Sequence, residues 1–222
     1  MSNFIINPYL ESGVTPIVNQ DFSSATGWTL NSVGSGQTIS GGSLNSPTTP
    51  SFGYMSLTLA DTDNWVFQFD MEATGNRDTP YLQLSSDTSS SPPDPTEGNK
   101  KFKFFTNNNT GNLKTLFGYY PSGGSFTELN GEDASGSWAK DVVYYCEATR
   151  NGDAFTFAQY SSVADRDNRA NALQEISFAD LNPPADPSAY ADTPDFAYIG
   201  VGAGGANGEQ KTYNLKLWNV YF

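Results

Sequence analysis

The sequence predicts an all-β fold, a two-sheet antiparallel β-sandwich, and three observations carry that prediction. The 222 residues include 21 glycines and 13 prolines, which interrupt any long helix. Aromatic residues make up 14% of the chain and charged residues only 16%, a balance suited to many short strands around an aromatic core. The run Asn64 to Glu72 (NWVFQFDME) alternates strictly, with Trp65, Phe67, Phe69 and Met71 on one side and Val66, Gln68, Asp70 and Glu72 on the other.

Taken in order, residues 1–20 combine Phe4, Ile5, Ile6, Tyr9 and Leu10 with Pro8, Gly13 and Pro16. That mixture is too apolar for a solvated tail and too broken for a helix, so it is expected to be an extended docking arm. Its removal is expected to leave the rest folded. A single sandwich domain is expected over residues 21–222. It opens with Asp21-Phe22 and Gly27-Trp28, followed by a hairpin in Thr38 to Leu44 (TISGGSL), where two glycines mark a tight turn. Asn64 to Glu72 reads as a half-buried strand. Further strands are expected at Tyr81 to Leu84, Lys101 to Phe105, Thr115 to Tyr120, Val142 to Ala148, Ala154 to Tyr160, Ala197 to Val201 and Tyr213 to Tyr221. Ser85 to Asn99, Asn107 to Asn112 and Asn182 to Asp195 have loop compositions. The stretch Val163 to Glu175 (VADRDNRANALQE) lacks Gly and Pro and predicts two or three helical turns before a strand at Ile176 to Phe178.

Charge and composition exclude several functions. With 24 acidic residues against 11 basic ones, the net charge of −13 repels phosphate backbones and anionic lipid, so neither nucleic acid nor a membrane is an expected partner. Lys100, Lys101 and Lys103 alternate with aromatics, which places them on the wet side of an ordinary strand. The absence of histidine removes the usual general base and imidazole metal ligand, and one cysteine, Cys146, allows neither an internal disulfide nor a Cys/His zinc site. Any metal must therefore be held by oxygen. Met1 to Leu10 has no basic n-region and no apolar run of signal-peptide length, so export by that route is not expected.

The order of segments resembles the concanavalin A-like lectin/glucanase jelly roll, including its laminin G-like relatives. Asp21-Phe22 with Gly27-Trp28 is similar to that family's opening, Ile39 to Leu44 to its short strand pair, and Asn64 to Glu72 to its first long core strand. Trp138 to Tyr160, turning at Gly152, resembles its middle hairpin. Phe196 to Gly202, Gly204-Gly205 and Tyr213 to Phe222 resemble the closing pair that returns the C-terminus beside the N-terminal strand. The resemblance implies a jelly roll and carries the fold rather than an activity. Glucanases of this fold carry two glutamates and an aspartate on alternate positions of one strand, and no E-x-D-x-E or E-x-D-x-x-E occurs here. Asp70 and Glu72 alone read as a solvated face. For a lyase, Tyr144, Tyr145 and Lys140 are the residues available.

Two candidate sites follow. Sugar binding needs exposed aromatics beside hydrogen-bonding groups, for which Trp138, Tyr119, Tyr120, Tyr144, Tyr145 and Tyr160 are the candidates, with core packing as the competing role of each. Calcium needs oxygen ligands, and two turns space acids two apart: Asp61 with Asp63, and Asp165 with Asp167. Neither continues into a helix-loop-helix calcium loop, and no other cofactor is expected.

An acidic, histidine-free sandwich with an apolar arm and no leader is expected to be a non-catalytic structural or binding module on a virion surface, made in the host cytoplasm. The opening NPYL resembles the start of phage structural proteins. Phe4, Ile5, Ile6, Tyr9 and Leu10 would attach it to other virion proteins such as a capsid lattice, as a head decoration or fibre-associated protein, with surface glycans and a homo-oligomer as further partners. The alternatives are a lectin-like carbohydrate-binding module of a bacterial, extracellular surface system and a diverged glycan-cleaving enzyme.

Overall fold

The computed structural model describes residues 13–31, 36–47, 51–59, 64–74, 80–85, 101–107, 114–120, 127–129, 139–152, 154–177, 198–203 and 210–219. Their strands are, in chain order, β1 (Val18–Gln20), β2 (Trp28–Asn31), β3 (Thr38–Ser40), β4 (Ser43–Ser46), β5 (Ser51–Ser56), β6 (Asn64–Ala73), β7 (Pro80–Ser85), β8 (Lys101–Asn107), β9 (Lys114–Tyr120), β10 (Thr127–Leu129), β11 (Val143–Asn151) and β12 (Ala154–Tyr160). After these come one short helix, α1 (Val163–Asp167), then β13 (Gln174–Ser177), β14 (Tyr198–Ala203) and β15 (Gln210–Asn219). Sheet A runs β13-β12-β11-β6-β15-β4-β3, with β1 also paired to β15, and sheet B runs β10-β9-β8-β7-β14-β5-β2. Every pairing in both sheets is antiparallel. The fold is a jelly-roll β-sandwich.

Alternation explains the layers. Trp65, Phe67, Phe69 and Met71 of β6, Cys146 and Ala148 of β11, Phe157 of β12, and Leu215 and Leu217 of β15 form one face of sheet A. They share a core with Leu82 and Leu84 of β7 and Ile199 and Val201 of β14. Burying each of the Val, Leu, Ile, Phe and Met side chains among them contributes about 1.5–3 kcal/mol. Gln37 spans the sandwich, donating through Nε2 to Ser46 Oγ and to Val201 O, both at 2.8 Å. Gly53 on β5 makes room for it, since a Cβ there would collide with Gln37 Oε1. The expected hairpin is present: Ser40 pairs with Ser43 across Gly41 and Gly42, whose φ angles of +61° and +76° suit a two-residue primed turn.

Four expectations change. First, β6 is buried on both faces rather than half-buried, because β11 and β15 flank it and side chains from α1 and β15 cover its polar side. Second, α1 is a single turn. Ser162 caps it, its Oγ accepting from Asp165 N at 3.0 Å, and Arg169 and Asn171 then take φ angles of +48° and +53°, which end the helix before β13. Third, the strand expected at Ile176 to Phe178 begins earlier, at Gln174. Fourth, the last residues of the expected arm belong to the sandwich: Val18, Asn19 and Gln20 pair with Leu217, Lys216 and Leu215, and Ile17 N donates to Leu217 O at 2.8 Å. Phe4, Ile5, Ile6, Tyr9 and Leu10 lie outside the described residues. The C-terminal strand does return beside the N-terminal one, as the resemblance implies. Among the described residues no helix is long and apolar enough to cross a membrane.

Candidate functional site

The side of sheet A that faces away from the core is polar, and register builds it. Because directly paired residues of an antiparallel sheet project to the same face, rows of side chains cross it, three of them polar and one, through Thr156, Thr149, Val66 and Trp218, ending on an apolar pair. Tyr160, Tyr145, Asp70 and Tyr213 form the middle row over β12, β11, β6 and β15. Ala158, Glu147, Gln68, Lys216 and Asn19 form a second row, ending on β1. Val143, Glu72, Lys211, Asn45 and Thr38 form a third, ending on β3. At Asn214 the pairing of β15 with β6 shifts by one residue and φ is +33°. This bulge turns the Asn214 amide onto the same face as Tyr213, where Nδ2 donates to Asp70 Oδ2 at 2.8 Å.

The face has a closed half and an open half. Over β11 and β12, α1 and the residues after it supply two arginines. Arg166 Nη1 donates to Asp70 Oδ1 at 2.5 Å while its guanidinium sits 5.9 Å from the centre of the Tyr145 ring. Arg169 Nε donates to Glu147 Oε1 at 2.7 Å, and Gln68 Nε2 donates to the other oxygen, Glu147 Oε2, at 2.8 Å. Asp70 is only 2% exposed and Arg166 only 4%. The pair is therefore a buried one, not the solvated face expected of Asp70 and Glu72. Glu72 accepts from the Tyr213 hydroxyl and lies 3.5 Å from Lys211 Nζ. Over β15, β4, β3 and β1 the face is open: Asn19, Thr38 and Asn214 are exposed, Asn45, Tyr213 and Lys216 are partly so, and the Lys211 side chain is 41% exposed.

Burial sets the titration of this face. It pushes the Asp70 carboxyl above its ordinary value, opposed by the Arg166 guanidinium and the Asn214 amide. Burial, with Glu147 and Glu175 nearby, also pushes the Tyr160 phenol up, and burial plus the bond to Glu72 does the same for Tyr213. A phenol whose folded-state pKa lies above its ordinary value of about 10 stabilises the fold below that pH and loses the contribution as pH rises through it. We therefore expect stability to fall above about pH 10, and Tyr160→Phe with Tyr213→Phe to flatten that fall. Denaturant midpoints of the parent and the double variant on either side of that pH test this; parallel curves would contradict it.

The sequence-predicted residues separate. Tyr145 and Tyr160 belong to the polar face, under or beside the arginines. Tyr144 points the other way, into the core, is 6% exposed, and its hydroxyl accepts from Ala139 N at 2.7 Å. Tyr119 and Tyr120 are in β9, paired with Phe102 and Lys101 of β8, and their side chains lie outside the described residues, as does Trp138. Asp61 and Asp63 also lie outside them. Asp165 and Asp167 are in α1 and are engaged: Asp165 accepts from Ser162 Oγ at 2.6 Å and from Asn171 Nδ2 at 2.8 Å, and Asp167 from Arg166 Nε at 3.2 Å. These bonds hold Asp165 below the usual carboxylate range. Both Asp165 oxygens and one Asp167 oxygen are thus engaged with neighbouring side chains, and no group of three or more His, Cys, Asp or Glu among the described residues could hold a metal. Sequence reasoning missed Arg166, Arg169, Asn214 and Lys216. Their only local signal was the helix-like segment that contains the two arginines.

No family model matches the chain, and no curated protein matches it by sequence. Solved structures do. The globular domain of T. cruzi calreticulin is similar over 93% of this chain and 89% of its own, with a TM-score of 0.63 and 9% identity. The exoplasmic/lumenal domain of VIP36, in a Ca2+- and Man-bound form, is similar over 94% and 89%, with a TM-score of 0.60 and 13% identity. A structure from work on endo-acting O-glycanases that human gut microbiota express to initiate mucin breakdown is similar over 93% and 100%, with a TM-score of 0.61 and 9% identity. These are concanavalin A-like jelly rolls, and at such identities the likeness is one of fold.

Proposed function

We propose that this chain is a lectin-like carbohydrate-binding module that holds a glycan on the open half of the polar face of sheet A. The observation that carries the proposal is the strip formed by Asn19, Asn45, Lys211, Tyr213, Asn214 and Lys216. It carries amide, hydroxyl and ammonium groups on one face of the sheet with one aromatic ring among them, and bonds to Glu72, Asp70 and Ser43 hold Tyr213, Asn214 and Asn45 in place while leaving their side chains wholly or partly exposed. The likeness to VIP36, a Ca2+- and Man-bound domain, supports the reading at the level of fold.

Binding is favoured over hydrolysis. Retaining hydrolysis uses two carboxyl groups about 5–5.5 Å apart that are free to reach the bond. Here Asp70, Glu72 and Glu147 are each committed to internal partners, Arg166, Tyr213 with Lys211, and Arg169. Calcium enters this proposal through the sequence-read pairs Asp61 with Asp63 and Asp165 with Asp167. The virion surface suggested by the sequence is kept as a setting for the same module, resting on the apolar residues of its arm.

The test is a glycan array probed with the full chain, in calcium and in chelator, followed by calorimetric titration of the best ligand and a reducing-end assay for cleavage. We expect saturable binding, no cleavage, and a loss of about tenfold in affinity for Asn214→Ala and for Lys216→Ala, the equivalent of one lost hydrogen bond to a charged or well-held group. Retention of no glycan in either condition would overturn the proposal.

A further inference from the structure

The closed half of the polar face is covered by the chain itself, fastened mainly by ion pairs. From Ser161 to Leu173 the chain crosses β11 and β12 with little apolar anchoring: Val163 is 42% exposed and Leu173 is 47% exposed, and Ala164 is also exposed. What holds the segment down is charge. Arg166 reaches through to Asp70 on β6, Arg169 to Glu147 on β11, and the segment ends with Leu173 N donating to Gln159 O at 2.8 Å. Internally it is pre-shaped by the Ser162 cap, by Asn171 Nδ2 donating to Asp165, and by Asn168 Nδ2 donating to Ala164 O at 2.8 Å. Under it lie Tyr160, Tyr145 and Asp70 of the middle row, with Glu147 of the second row beside them, aromatic and acidic groups that continue the open strip of β15 across the sheet.

We infer that the segment Ser161 to Leu173 is a strap that occupies one half of the polar face, and that Arg166 sets the boundary at which a bound glycan must stop. The guanidinium stands over Tyr145 and on Asp70, the position a sugar ring extending from Tyr213 and Asn214 toward β12 would need. Ligand length is thereby limited to what the β15, β4, β3 and β1 side can seat. The strap also keeps Asp70 paired and out of reach. Arg166 acts here as a positioning residue. The claim about ligand length rests on the binding function proposed above; the claim that the segment is a separable strap does not.

The experiment uses the full chain and the double variant Asp70→Asn with Arg166→Met. Both charges are removed together, so that no buried charge is orphaned, and the amide that replaces the carboxylate retains an oxygen to accept from Asn214. Backbone hydrogen exchange is followed by mass spectrometry in both proteins. We expect amides of residues 163–173 to exchange at least ~tenfold faster in the variant while those of β6, β11 and β12 keep their protection. An oligosaccharide series should then gain affinity to a greater chain length in the variant than in the parent. Unchanged exchange in the segment, or a rise shared equally by segment and strands, would overturn the strap. A strap that opens while the length dependence stays the same would overturn Arg166 as the boundary. If neither protein binds any oligosaccharide, the binding function fails and the claim about ligand length falls with it, while the exchange result decides the strap on its own.

Discussion

Arg166→Met alone is expected to lower the stability of the chain by about 3–5 kcal/mol, because it leaves the Asp70 carboxylate buried with only Asn214 to accept from. The loss should be largest near neutral pH. Burial already holds the Asp70 carboxyl above its ordinary value, and without the guanidinium it rises further. A carboxyl raised in the folded state destabilises that state when ionised, so stability returns as the pH falls from neutral toward the unfolded value of about 3.9 and Asp70 takes up its proton. Adding Asp70→Asn removes the orphaned charge and is expected to recover most of the loss at neutral pH. Denaturant midpoints of the parent, the single variant and the double variant read this directly. Equal midpoints for single and double variants would mean that Asp70 tolerates ionisation without Arg166.

The second large effect is at the N-terminus. A chain lacking residues 1–20 is expected to be about 2–5 kcal/mol less stable than one lacking residues 1–12, the difference isolating residues 13–20. Those residues contribute Val18 to the core, the ladder from Val18 to Gln20 against β15, and Ile17 N to Leu217 O. Trp218 Nε1 also donates to Val14 O at 3.3 Å, so the segment covers the second, smaller apolar pair of Val66 and Trp218 on the outer face. Equal stability of the two truncations would restore the expectation that residues 1–20 are separable from the sandwich as a whole.

How far the sequence could be read follows from the range of the forces involved. β6, β11 and β12 were legible because their alternation is local and their aromatic content high. The β3–β4 hairpin was legible because a glycine pair adopts the positive φ angles of its turn without strain. β1 and β5 were missed because VNQ and SFGYMS carry little alternation of their own and are strands only by virtue of the partners they pair with, β15 and, for β5, β14 and β2. Helix α1 was overestimated because the lack of Gly and Pro says nothing about Arg169 and Asn171, which turn left-handed where the segment bends onto the sheet.

The polar face was the least legible part. Asp70 and Glu72 were seen on one side of a strand, but their meaning depends on Arg166, 96 residues away, and Asn214, 144 residues away from Asp70. No spacing in the sequence records such a contact. Tyr144 and Tyr145 show the same limit in miniature. Both are aromatic and adjacent, and strand pleating sends one into the core and the other beneath Arg166.

The open half of this face is the proposed working surface. The most direct test is the hydrogen-exchange footprint of the tightest oligosaccharide from the array on the full chain. Added protection is expected in β15 from Gln210 to Lys216 and in β4 and β1, with sheet B unchanged. A footprint on sheet B, or one confined to the loops while β15 exchanges as before, would contradict it.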